Sequence, residues 1–178
     1  MKVLILGAGN SLLSDEGFGV HLIGYLQAHY RFPDTVELFD AGTMGIMAIH
    51  KIEEADYVFI VDTVEADEPP GTLLQYGKDA FMLNKVPVKL SPHQVGIQEM
   101  LLVSEMRGRC PRDLVLIGII PASTEPGTEL SGLLRAKLPE TAGILMDALR
   151  KLGITDSHER PRLGITNSLL QRGQSCVL

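Results

Sequence analysis

Apolar residues in this chain fall in short continuous runs that end in glycine or aspartate, with helix-spaced stretches between them. Val3–Leu6 is such a run, closed by Gly7-Ala8-Gly9-Asn10. That is the pattern of a parallel strand buried on both faces. Phe18, Leu22, Tyr25 and Leu26 then recur at helical spacing, predicting a helix that is capped by Ser14 or Asp15 and ends near Tyr30. Thr35–Phe39 reads as a second strand ending at Asp40-Ala41-Gly42-Thr43, and Met44 to Glu53 as a short helix. Tyr57–Val61 is a third strand, ending at Asp62. Pro69-Pro70-Gly71 turns the chain into a strand at Thr72–Tyr76. Ser91-Pro92-His93 opens a helix from Gln94 to Met106, and Leu114–Ile120 is a strand closed by Pro121. Leu130 to Leu152 is helical, expected in two pieces, with Pro139 ending the first and starting the second.

Strand and helix alternate, so the predicted class is α/β: three layers, a twisted and mostly parallel central sheet with helices on both faces. One domain is expected over residues 1–153. Periodicity fades near Thr155, which predicts a poorly ordered tail over residues 154–178.

Composition narrows the function. With 45% hydrophobic and 21% charged residues, the chain can bury a core and is not disordered. A net charge of −6 lacks the basic footprint of a nucleic-acid binder. Two cysteines, Cys110 and Cys176, make no disulfide framework and no C-x-x-C metal motif. No run approaches the ~18 apolar residues of a membrane span, and the apolar N-terminus is too short for a signal peptide. The expectation is a cytoplasmic protein with neither membrane nor nucleic acid as partner.

Gly7-x-Gly9 between a strand and a helix suggests a Rossmann-type dinucleotide loop. Leu12 stands where the third glycine or alanine belongs, and Asp15 and Glu16 would repel a pyrophosphate at the helix start. No nucleotide is therefore expected. Ligands of an open parallel sheet lie beyond the carboxyl ends of its strands. Asp15 and Glu16 follow the first strand, Asp40 ends the second, Asp62 ends the third, and His93 starts a helix. Strands are about 5 Å apart, so acids at neighbouring ends can converge. Like charges gathered there require a counterion. One imidazole and two carboxylates suit zinc, nickel, iron or manganese, and the residues alone do not choose among them. There is no G-x-S-x-G, H-E-x-x-H or P-loop. His21, His29, His50 and His158 read as surface or packing residues.

Several segments together resemble the hydrogenase maturation endopeptidase family, whose members trim the C-terminus of the nickel-iron hydrogenase large subunit. They are Gly7-Ala8-Gly9-Asn10 with Leu12, Asp15-Glu16-Gly17-x-Gly19, and Asp40-Ala41-Gly42-Thr43-x-Gly45. Val61-Asp62, Pro70-Gly71-Thr72, Ser91-Pro92-His93-Gln94 and Gly118-Ile119-Ile120-Pro121 complete the set, in the family's order. Ala41 departs from the glycine often found there, and no match extends beyond residue 153. The resemblance implies that Glu16, Asp62 and His93 are metal ligands and that Asp40 takes part in processing. It implies that the metal is nickel carried by the precursor. The negative charge gathered at the site is expected to draw zinc or cadmium from buffer in vitro as well. The expected function is a metal-dependent endopeptidase acting on the nickel-loaded large-subunit precursor. The rival readings are a non-catalytic nickel-sensing chaperone of that subunit and a Rossmann-type nucleotide binder.

Overall fold

The computed structural model describes residues 1–82, 89–90, 92–155 and 157–159, with the side chains of residues 46, 81–98 and 158 outside the description. Strand β1 (Val3–Ala8) is buried at all six positions, because it runs through the middle of the sheet. The chain continues through α1 (Phe18–His29), β2 (Tyr30–Arg31), β3 (Val36–Gly42), α2 (Ile49–Glu54) and β4 (Tyr57–Glu65). It goes on through β5 (Leu73–Gly77), α3 (Lys78–Met82), β6 (Lys89–Leu90), α4 (Pro92–Met106), β7 (Asp113–Ile119), α5 (Gly132–Lys151) and β8 (His158–Glu159).

Five strands form the sheet in the order β3-β1-β4-β7-β5, parallel except for the antiparallel edge strand β5, and β6 pairs with the end of β4. Alternation along the strands divides the core in two. Val3, Ile5, Phe59 and Val61 pack with Phe18, Leu22, Leu26, Leu134, Leu145 and Leu149, on the face covered by α1 and α5. Leu4, Leu6, Val58, Ile60 and Val64 pack with Ile52, Met100 and Leu101, on the face covered by α2 and α4. This is the three-layer α/β class expected from the pattern.

Three local expectations need correction. Helix α1 is not capped by Ser14 or Asp15: residues Ser14–Gly17 form a 3-10 turn, and Gly17 stands at the N-cap without a side-chain bond. Strand β4 does not stop at Val61. Its pairing continues to Thr63 along β7, and through Val64 and Glu65 along β6, so Asp62 lies inside the strand. Helix α5 is one piece with Pro139 inside it. Pro139 lies on the exposed side, so the carbonyl left without its N–H donor faces water. Seven buried residues from Leu134 to Leu149 hold both halves on the sheet. Past residue 153, Ile154 packs into the first core cluster and β8 pairs with β2; residues 160–178 lie outside the description.

Candidate active site

The direction of the chain through the sheet reverses at β1. From β1 it crosses by α1 to β3 on one side, and from β3 by α2 to β4 on the other. Helices leave to opposite faces at this switch point, which opens a crevice beyond the carboxyl ends of β1 and β4. The loop after β1 and the end of β4 from Asp62 onward line it.

Glycine makes the approach there possible. A Cβ on Gly9, whose φ is +134°, would lie 1.9 Å from the Glu16 carbonyl oxygen and 3.6 Å from Asp62 Oδ1. The backbone of Glu16 and the carboxylate of Asp62 thus flank one point that no larger residue could fill. A Cβ on Gly19 would lie 2.3 Å from the carbonyl oxygens of both Ala8 and Val61. The first turn of α1 is therefore pressed across the ends of β1 and β4. The two glycines of Gly7-x-Gly9 serve this close packing of helix on strand and loop on strand.

Asp62 has no exposed surface, and its Oδ1 accepts the Thr63 amide at 2.7 Å. It shares a sheet face with Val58, Ile60 and Val64, the side of α2 and α4. A buried carboxylate is costly unless it is hydrogen-bonded or meets a cation. Glu16 is half-buried in its 3-10 turn.

The side chain of His93 lies outside the described residues. Its backbone is the second residue of α4. Leu90, three residues earlier, pairs with Val64, two residues beyond Asp62. At the other end of the helix, Arg107 and Arg109 approach Glu53 of α2, at 3.1 and 3.8 Å. Helix α4 therefore runs against the strands, over about 22 Å at 1.5 Å per residue, with its first turn at the edge where Asp62 lies. Among the described residues, no three histidine, cysteine, aspartate or glutamate side chains are grouped to hold an ion; His93 is not in that set.

Asp40 stands apart from Asp62. It pairs with Gly7, on the far side of β1 from β4, about 10 Å away at two strand spacings. Its neighbours Phe39 and Ala41 pack on the α2 and α4 face, so the pleat turns Asp40 to the other. It is exposed, and its Oδ1 accepts the Gly42 amide at 2.9 Å in a turn that Gly42 completes at φ +46°. The Gly9 contact thus brings the backbone of the Glu16 turn near Asp62, while Asp40 lies two strands from it.

The sequence pattern missed what Asp15 does. It is fully buried, its Oδ2 accepts the amides of Ala122 and Ser123 at 2.9 and 3.0 Å, and its Oδ1 accepts the Ser131 amide at 2.7 Å. Those partners are 107 to 116 residues away, where no local spacing could signal them. Of the other histidines, His21 Nε2 lies 3.1 Å from the Thr128 carbonyl, 107 residues away, His29 stacks on Tyr25, and His50 Nδ1 lies 3.0 Å from the Met47 carbonyl; the side chain of His158 lies outside the described residues. No helix among the described residues is long and apolar enough to cross a membrane.

Residues 20–148 match the hydrogenase maturation protease family. The chain is 38% identical over 154 residues to a hydrogenase expression/formation protein, HupM, of Azotobacter chroococcum, covering 86% of this chain and 74% of that one. It is 34% identical over 155 residues to the hydrogenase 2 maturation protease of Escherichia coli, covering 86% and 94%. The solved structure of the hydrogenase maturating endopeptidase HybD from E. coli superposes with a TM-score of 0.83 at 32% identity, over 90% of this chain and 98% of that one.

Proposed function

The chain belongs to the hydrogenase maturation protease family and is an endopeptidase, and from that premise we propose that it trims the C-terminal extension of a nickel-loaded hydrogenase large-subunit precursor. Glu16, Asp62 and His93 grip the precursor's nickel, and the ion is part of the substrate. One observation carries this reading: Gly9 brings the Glu16 turn and the buried Asp62 carboxylate to one point at the switch point, at the edge where α4 begins. Two carboxylates and an imidazole are donors that a borderline-hard divalent ion accepts.

Each group then has a distinct task. Asp62, held by the Thr63 amide inside the strand, is a fixed anionic ligand. Glu16 closes on the ion from the β1 loop. Three protein ligands leave positions open for donors of the precursor, so docking is sensed at the metal. Asp40, exposed on the next strand over, is the acid/base or backbone-orienting group for the scissile segment. The test is incubation with purified nickel-loaded precursor, read as a mobility shift on trimming. His93→Ala should abolish the shift while the melting transition is kept. Full trimming by that variant would remove His93 from the site, and a lost transition would make it structural.

A further inference from the structure

Asp15 lies beside Glu16 in sequence but points away from the crevice chemistry, into the chain's other long loop. Its carboxylate gathers three backbone amides, those of Ala122, Ser123 and Ser131, and its own amide donates to the Ser123 carbonyl at 3.1 Å. Ser131 is the N-cap of α5, where its side chain accepts the Leu134 amide. The Asp15 charge therefore sits at the positive end of a 20-residue helix. Around it, further bonds join the same two loops. The Ser14 amide donates to the Gly127 carbonyl, the Gly127 amide to the Leu12 carbonyl, and Ser14 Oγ to the Glu125 carbonyl, all within 2.9 Å. Residues 12–16 are thereby laced to residues 122–131. On the other flank of the turn, Gly9 fits under the Glu16 carbonyl with no room for a Cβ.

We propose that Asp15 is a positioning residue: by clamping the 3-10 turn to the loop that starts α5, it sets where the adjacent Glu16 enters the metal site. Glu16 itself sits in a short turn of four residues, too short to hold its own place. A carboxylate is suited to the clamp because it accepts three amides and donates none, and charged acceptors make the stronger bonds. Partners that orient a ligand without touching the metal typically matter 10–100-fold in affinity. The consequence for metal rests on Glu16 being a ligand, as proposed above; the clamp itself does not.

Amide hydrogen exchange tests the clamp directly. In the unmodified full chain, the Ala122, Ser123 and Ser131 amides should exchange more slowly than those of Thr124 and Glu129 in the same exposed loop. Equal rates would overturn the proposal without any variant. In Asp15→Asn, which keeps the shape but turns an NH2 toward amide donors, exchange should quicken at least about 10-fold over residues 11–17 and 122–131. Residues 142–150 of α5 should be unchanged. Nickel(II) alone, titrated by calorimetry into wild type and variant, should bind the variant about 10–100-fold more weakly. Leu149→Ala, far from the crevice, serves as a destabilised control that should keep wild-type affinity. Quickened exchange with unchanged nickel affinity would overturn the positioning role. Wild-type protein that binds no nickel at all would instead overturn the metal reading of Glu16, and the exchange rates would still decide the clamp.

Discussion

The two edges of the sheet differ in whether cations join the backbone amides that hold their carboxylates. At the amino edge, Asp56 and Glu53 meet cations, while Asp113 is held by the Leu114 amide. Asp56 accepts the Lys2 amide at 2.8 Å and lies 3.4 Å from Arg112 Nε and 3.8 Å from the N-terminal amine. Glu53 lies against Arg107 and Arg109. At the carboxyl edge, Asp15, Asp40 and Asp62 are held by backbone amides. An amide fixes the direction of a carboxylate without cancelling its charge. The first arrangement pairs its acids with cations, while the second orients carboxylates by backbone amides, and of its three acids only Asp62 lies at the crevice, where the proposed function gives it a divalent ion as counterion.

Removing charge at the carboxyl edge should produce the largest effect. Asp62→Asn keeps the shape and removes a buried charge, so the fold should survive. Trimming of nickel-loaded precursor should fall by more than about 100-fold, beyond the loss of a supporting partner. Near-normal trimming beside an intact melt would break the contrast between the edges. Gly9→Ala should damage fold and site together. The backbone conformation alone costs about 1–3 kcal/mol, and the new Cβ would meet the Glu16 carbonyl. A melting temperature equal to wild type, with trimming intact, would show that the approach is not tight.

Away from both edges, Gly24 is exposed in α1 with open space around it. Gly24→Ala should stabilise by about 1 kcal/mol, raising the melting temperature by roughly 2–4 °C, with trimming unaffected. This sharpens the point that Gly9 is used for geometry. The smallest effect belongs to the amino edge. The Lys2 amide, aided by Arg112 and the N-terminal amine, holds the Asp56 carboxyl below its ordinary value of 3.8. A depressed folded value means that the stabilisation is full at neutral pH and is lost as pH falls through it. Asp56→Asn should therefore melt below wild type at neutral pH. The gap should close below about pH 4, and trimming should not change. A gap that persists in acid would mean that the carboxylate charge is not what Asp56 contributes.

Sequence pattern alone determined the elements whose signal is local. The buried run at Val3–Leu6, the spacing of Phe18, Leu22 and Leu26, and the alternation of strand with helix specify an α/β sheet, because burial on a strand or helix face is written at periods of 2 and 3.6. They also placed Glu16, Asp40, Asp62 and His93 after strands or at a helix start, with residue types that point to a cation. What only the tertiary structure decided is which of those ends meet. Strand order 3-1-4 put the Glu16 loop and Asp62 together and left Asp40 one strand beyond. The Pro139 helix stayed whole because six of its buried residues, on both sides of the proline, pack into the cluster shared with the sheet and α1, which no local propensity records. Asp15 could be seen as an acid near a helix start, yet its partners follow more than a hundred residues later. Burial is a property that neighbours in sequence can announce, whereas the direction of a buried carboxylate depends on whichever amides the completed chain brings to it.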